Sequence, residues 1–399
     1  MLPGLPAVAQ EAPPPTPVPP YGSPSPYPSV LVTPEPSRTP PELTAASAAL
    51  FDLETGYPLY ELAADEPRPI ASVTKIMTAL LVVEETSPDE LVTASDRAAA
   101  QTGSRLGLAA GEQIRVRDLL FALLLQSAND AAVALAEHIG GTVEEFVALM
   151  NQRARRLGLR DTAFASPNGL DDRGHSTAVE LANLTARAMR EPLIARVVAT
   201  RFRTIAAPEG DARVIQNRNA LLWLYRGAIG VKTGFTSAAG FCLVAAAERG
   251  GMRLGAVVLG APGEAFSDAA ALLDHGFRAY RPRTLISAGQ ELTPVTVEGR
   301  QVPVVAASEL RAVLDEDDAI VVTTEVEPGL TLPVGEGDRL GWAVVISAGR
   351  ELGRVPLAAA SAVPGEGPGD EQPPSDDAWW RRVAAGIGAA VASFVARSL

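Results

Sequence analysis

Lysine is nearly missing from this chain. Among 399 residues 34 are basic, and only two of those are lysine, Lys75 and Lys232; the other 32 are arginine. Cysteine occurs once, as Cys242, which excludes an intramolecular disulfide framework and a cysteine-rich metal site. The three histidines, His138, His175 and His275, lie far apart and outside any H-E-x-x-H pattern, so a histidine-ligated zinc site is not expected. No metal or organic cofactor is implied. Acidic residues number 47, the net charge is −13, and the basic surface that a nucleic-acid partner needs is not there. What remains, 47% hydrophobic and 20% charged, is the balance of a mostly globular protein with room for two or three domains.

The chain divides by composition. Residues 1–11 end near Ala7-Val8-Ala9, which resembles the small-residue end of a signal peptide without its charged and apolar regions. A truncated export signal is expected; an accidental match is the alternative. Residues 12–42 are proline-rich and read as a semi-rigid polyproline spacer. Globular patterning runs over 43–282. ASAALFDLETGYPLYEL predicts a hairpin turning at Glu54-Thr55-Gly56, and FCLVAAA with LGAVVLG predicts a second antiparallel pair. SVTKIMTALLVVEE and RDLLFALLLQ predict buried helices, and STAVELANLTARAMR a helix capped by Ser176 or Thr177 with Glu180 in its first turn. The mixture predicts an α+β fold, an antiparallel sheet flanked by helices.

Residues 283–360 are short β-rich runs broken by Gly and Pro, which predict a small all-β sandwich. Residues 361–377 read as an acidic Gly/Pro linker. The last segment, 378–399, is amphipathic at 100° per residue: Trp380, Ile387, Val391 and Phe394 share one face, Arg382, Ser393 and Arg397 the other. An anchor lying in the membrane interface is expected; a docked terminal helix and a tilted span are the other readings.

The two lysines pose a chemical question. Arginine cannot in practice give up its proton, whereas lysine can when buried. Lys75 closes Ser72-Val73-Thr74-Lys75 at the start of a buried helix, and positions i and i+3 face the same way. An amine beside a serine hydroxyl in an apolar helix is a nucleophile with its own base, because desolvation lowers the lysine pKa. Lys232 opens Lys232-Thr233-Gly234 on an exposed strand, where amine and hydroxyl suit a carboxylate and Gly234 permits close approach. Ser127-Ala128-Asn129 separates two apolar helices. It reads either as a turn capped by Asn129 or Asp130, or as a hydroxyl and an amide projecting into a cleft. Each motif alone is weak. Two lysines placed at random among 34 basic positions would fall on this pair about once in 560.

In this order, S-x-x-K, S-x-N and K-T-G resemble the constellation of penicillin-binding proteins and serine β-lactamases. The surrounding text, RPIASVTKIMTALL, LLLQSANDAAVALAEHIGG, SPNGLDDRGHSTAVELANL and GVKTGFTSAAGFCLVAAAERGGMRLGAVVLGA, is similar to the low-molecular-mass D-alanyl-D-alanine carboxypeptidases over roughly 45–282. The resemblance implies a β-lactamase/DD-peptidase-like fold, with a β-domain and a C-terminal anchor. It implies Ser72 as nucleophile, Lys75 as base and Ser127 as proton relay. It further implies Asn129 on the substrate amide, Lys232 and Thr233 on the terminal carboxylate, and the Ser72 and Phe235 amides as oxyanion hole beside Gly234. The implied partners are peptidoglycan stem peptides, β-lactams as covalent inhibitors, and the membrane, at the outer face of which the exported chain would work.

Rival readings are a β-lactamase, a DD-endopeptidase, and a silent wall-binding scaffold. A β-lactamase needs fast deacylation, in one class from a glutamate before K-T-G. Glu180 and Glu191 lie in that interval, but Glu180 reads as a capping residue. Cys242 and Asn168-Gly169 read as packing and turn residues. His175 reads as structural, with a base role as its rival, and Arg153, Arg155 and Arg156 read as a solvated face.

Overall fold

The computed structural model describes residues 39–207, 212–263 and 265–365. Strands β1 (Ser47–Asp52) and β2 (Pro58–Leu62) form the first hairpin. Its turn is held by Asp52, whose Oδ2 accepts from Thr55 Oγ1 at 2.7 Å. The longer helices that follow are α1 (Lys75–Glu85), α2 (Val116–Leu125), α3 (Asn129–Gly140), α4 (Val143–Arg156), α5 (Ala178–Met189) and α6 (Pro192–Ala199), with short helices at Asp96–Ala99 and Leu221–Leu224. The chain then returns through β3 (Ala228–Thr236), β4 (Gly240–Arg249) and β5 (Met252–Ala261) and closes on α7 (Ala265–Ala279). The sheet order is β2-β1-β5-β4-β3, and every pairing is antiparallel. The link between β4 and β5 is Gly250-Gly251, both at positive φ (56° and 80°), which the tight hairpin requires.

Alternation along the strands divides the apolar side chains between two layers. Val244 and Ala246 of β4 join the core shared with α1 to α6, whereas Leu243, Ala245 and Ala247 join the core under α7. The helix α1 is buried on every side from Lys75 to Val82, as its apolar composition predicts. Its solvent end is tied by Glu84, which accepts from Arg153 of α4 at 2.7 Å and from Arg187 of α5 at 2.9 Å. Arg153 is therefore an interhelical tie rather than part of a purely solvated face.

The second five-stranded sheet is all β: β6 (Glu291–Val297), β7 (Arg300–Ala306), β8 (Ile320–Val326), β9 (Arg339–Ser347) and β10 (Arg350–Ala359), in the order β6-β7-β10-β9-β8. A two-stranded sheet pairs Arg281–Ile286 with Leu310–Leu314. By contacts the chain falls into two units. One runs up to Arg283 and includes Arg311–Ala319 and Ser347–Leu352; the other holds Thr284–Leu310, Ile320–Ile346 and the residues from Gly353. Among the described residues no helix is long and apolar enough to cross a membrane. The expected export remnant, almost all of the proline-rich spacer, most of the acidic linker and the amphipathic anchor lie outside the described residues.

Candidate active site

A 3₁₀ turn, Ala71–Thr74, precedes α1 and carries Ser72. Ala71 adopts φ 47°, a left-handed conformation that turns the chain sharply before the serine. Three residues on, Lys75 opens α1, and its Nζ lies 2.9 Å from Ser72 Oγ. The i,i+3 spacing has done what was expected of it. Lys75 is 0% exposed. Its Nζ also donates to Asn129 Oδ1 at 2.9 Å and to Asn168 O at 2.6 Å. A neutral amine has two N–H groups and one lone pair. With the N–H groups on those two acceptors, a neutral amine keeps its lone pair for the Ser72 hydroxyl, which also lies 3.4 Å from Asn168 O.

Electrostatics favour that neutral form. Burial holds the Lys75 amine well below the usual lysine range, and the charges of Lys232 and Arg218 push it the same way against Asp130. Lys232, 1% exposed, is pushed down to about 7 by burial and then by Arg218. Its Nζ donates to Thr233 O at 2.7 Å.

The Ser127-Ala128-Asn129 triplet forms a sharp corner between α2 and α3. Ser127 sits at φ 62°, uncommon for a side-chain-bearing residue, and such strain gathers at functional sites. Its Oγ is buried and finds no hydrogen-bond partner among the described residues. Asn129 heads α3 but does not cap it; its Oδ1 takes Lys75 and its Nδ2 donates to Thr102 O at 2.8 Å. Asp130 does not cap α3 in the expected manner either: besides Ala131 N it accepts from the amides of Leu106, Gly107 and Leu108.

Strand β3 is an edge of its sheet. Lys232 stands opposite Val244, on the face that meets the helices. Thr233 stands opposite Leu243, which belongs to the α7 side. Consecutive strand residues alternate between faces, and at this sheet edge Lys232 and Thr233 are both buried, at 1% and 6% exposure. A Cβ built on Gly234 would lie 3.1 Å from Ser72 N and 3.2 Å from Val73 N. The absent side chain thus lets the strand backbone lie against the amides of the serine turn. Phe235 is 47% exposed and packs on Phe241, ring centroids 4.6 Å apart.

Two contributors escaped the sequence reading. Asn168-Gly169 is more than a turn: its carbonyl holds Lys75, and Gly169, at φ 77°, lies so close to Ala71 that a Cβ would stand 1.9 Å from Ala71 O. The Asn-Gly pair was visible as a turn, but nothing local indicates what the turn packs against. Arg218 places a third cation beside both lysines and bonds Ser104 Oγ at 2.5 Å. No signal separates it from the other arginines. The residues read as structural are elsewhere. Cys242 is buried, its thiol pushed up to about 11 by burial. The His175 ring bonds Arg173 O. Glu180 accepts from Arg160 N, Asp161 N and Thr162 Oγ1, and Glu191 pairs with Arg187.

Comparison with known proteins agrees with this geometry. The chain is 35% identical over 330 residues to the D-alanyl-D-alanine carboxypeptidase DacF of Bacillus subtilis, covering 79% of this chain and 85% of that protein. It is 34% identical over 348 residues to DacC of Escherichia coli, also a D-alanyl-D-alanine carboxypeptidase, covering 79% and 84%. The crystal structures of penicillin binding protein 5 from Haemophilus influenzae match with a TM-score of 0.67 at 30% identity, over 82% of this chain and 99% of that one. A family profile described as D-alanyl-D-alanine carboxypeptidase, peptidase S11, matches residues 35–263, and the chain belongs to that family.

Proposed function

We propose that this protein is a serine D-alanyl-D-alanine carboxypeptidase that removes the terminal D-alanine from peptidoglycan stem peptides and is acylated by β-lactams. The observation that carries the reading is the fully buried Lys75 amine, 2.9 Å from Ser72 Oγ with its remaining neighbours both acceptors. Lys75 takes the Ser72 proton as Oγ attacks the carbonyl between the two D-alanines. Charge developing on the carbonyl oxygen falls beside the amides of Ser72 and Phe235, where no reorganisation is needed. Ser127 Oγ, buried and without a partner among the described residues, relays the proton to the leaving amine. The C–N bond breaks, D-alanine leaves, and water then hydrolyses the ester on Ser72. Lys232, protonated, binds the terminal carboxylate. The role of Thr233 beside it rests on the family motif. Asn129 orients Lys75 and the substrate amide. The free edge of β3 lets an extended peptide lie along the strand.

Export, and anchoring at the outer face of the membrane through residues 378–399, belong to the same proposal. Amphipathic patterning supports the anchor, and the substrate class supports export. Membrane flotation of the full chain against a chain ending at residue 377 tests the anchor; equal flotation refutes it.

The activity is tested by incubating the chain with a labelled penicillin and, separately, with a stem pentapeptide. A carboxypeptidase gives a long-lived adduct on Ser72 and free D-alanine. Rapid drug turnover would mean a β-lactamase, cleavage of crosslinks alone an endopeptidase, and neither label nor product a silent scaffold.

A further inference from the structure

The carboxylate next to Asn129 has no part in the chemistry above, yet Asp130 is 1% exposed and heavily bonded. Its Oδ1 accepts from Leu106 N at 2.9 Å and Ala131 N at 2.9 Å; its Oδ2 accepts from Gly107 N at 2.7 Å and Leu108 N at 3.1 Å. Three consecutive loop amides converge on one buried anion, and hydrogen bonds to a charged acceptor are the strong kind. The loop so held runs back into the site. Ser104 O accepts from Asn129 N at 2.7 Å, and Ser104 Oγ from Arg218 Nη1 at 2.5 Å. Thr102 O accepts from Asn129 Nδ2 at 2.8 Å, and Gln101 Oε1 from Asn168 Nδ2 at 3.2 Å. Its far end is closed by Arg213, which bonds Gly107 O at 3.0 Å and Glu112 at 2.6 Å. The same loop therefore touches Asn129 and Asn168, which hold Lys75, and Arg218, whose charge faces both lysines.

We infer that Asp130 is a positioning residue for acylation: its buried carboxylate fixes the 101–108 wall of the active site, and through that wall sets Asn129 and Arg218 against Lys75. The inference rests on the reading of Ser72 and Lys75 given above. A second consequence is electrostatic. The charged groups that face Lys75 are Lys232 from β3, Arg218 ahead of the 221–224 helix, and Asp130 from α3; Asp130 is the anion among them. It keeps the Lys75 amine from becoming too weak a base to accept the serine proton. Arg213 faces Asp130 from the other side of the loop.

The test is Asp130→Asn in the full chain. The amide puts a donor where one carboxylate oxygen accepts loop N–H groups, so donor meets donor. The measurements are the second-order rate of acylation by a labelled penicillin across pH, and thermal melting. Acylation should fall about 10- to 100-fold as the wall shifts. The acid limb of its pH profile should move to lower pH, because loss of the anion favours the neutral amine. A purely structural Asp130 would lower the melting temperature and leave the limb in place. Folded protein with the wild-type rate, or a slowed rate with an unmoved limb, overturns the inference. Ser104→Ala cuts the tie to Arg218 at a half-exposed position and keeps the test alive if the first variant does not fold. It should slow acylation several-fold, and the double variant should be no slower than Asp130→Asn alone; Ser104→Ala at the wild-type rate overturns the inference. If the unaltered chain is not acylated, the parent reading has failed instead.

Discussion

Gly169→Ala isolates how the buried Lys75 amine is held. The Asn168 carbonyl that binds Lys75 sits one residue before a glycine at φ 77°. An alanine Cβ there would stand 1.9 Å from Ala71 O, 2.5 Å from Ala71 C and 3.0 Å from Thr74 Oγ1. Ordinary carbon–oxygen contact needs about 3.2 Å, so one backbone must retreat by more than about 1 Å. Left-handed backbone costs alanine roughly 1–2 kcal/mol, and overpacking typically adds about 1–3 kcal/mol. The expected loss is about 2–5 kcal/mol, read as a drop of roughly 5–15 °C in melting temperature. Whichever backbone moves, Asn168 O separates from the pair Lys75–Ser72. A misplacement of that size costs acylation about 100-fold. Gly158→Ala is the control: it has φ 76°, and its Cβ would meet nothing within 4 Å. It carries the same backbone strain without the clash, so it should lose about 1–2 kcal/mol and acylate at the wild-type rate. The assay is stopped-flow acylation by a fluorescent penicillin on both variants. If Gly169→Ala reacts as fast as Gly158→Ala, the Asn168 carbonyl does not hold the base.

Lys75→Arg should cost about 100- to 10,000-fold in acylation, the scale of a lost general base, because a guanidinium keeps its proton; retained labelling by penicillin would remove Lys75 from that role. Lys232, down at about 7, loses its charge as pH rises through neutrality, so KM for a stem pentapeptide should climb above pH about 7 while the penicillin-independent fold is unchanged. Lys232→Arg, charged throughout, should abolish that climb, and a KM that still rises with pH would place the titration elsewhere. Glu180→Gln keeps one acceptor for the Arg160 and Asp161 amides but loses the charge, so it should destabilise the chain by about 1–2 kcal/mol. The rate of deacylation should stay unchanged, and slower deacylation would revive the β-lactamase reading.

The legible parts of this protein are those whose information is local. The Gly250-Gly251 hairpin, the all-round apolar α1 and the i,i+3 pair Ser72–Lys75 each depend on residues within a few positions of one another. The two retained lysines were legible for a chemical reason: a chain that uses arginine at every other basic position keeps lysine where an amine must lose a proton, or sit near the edge of losing one. Asn168 could not be found that way. It works through a main-chain carbonyl, which every residue type possesses, and only the packing of Gly169 on Ala71 brings that carbonyl to Lys75. Arg218 was hidden for the opposite reason, since its side chain matters but is one of 32 alike. Asp130 was misread because a carboxylate at a helix start has a short-range use as a cap, and that use was outweighed by three amides from residues 22 to 24 positions away. Motifs of this family thus identify which groups must be present; the direction in which each acts is decided by elements far away in the chain, and here by the 101–108 and 166–169 loops that brace one buried amine from two sides.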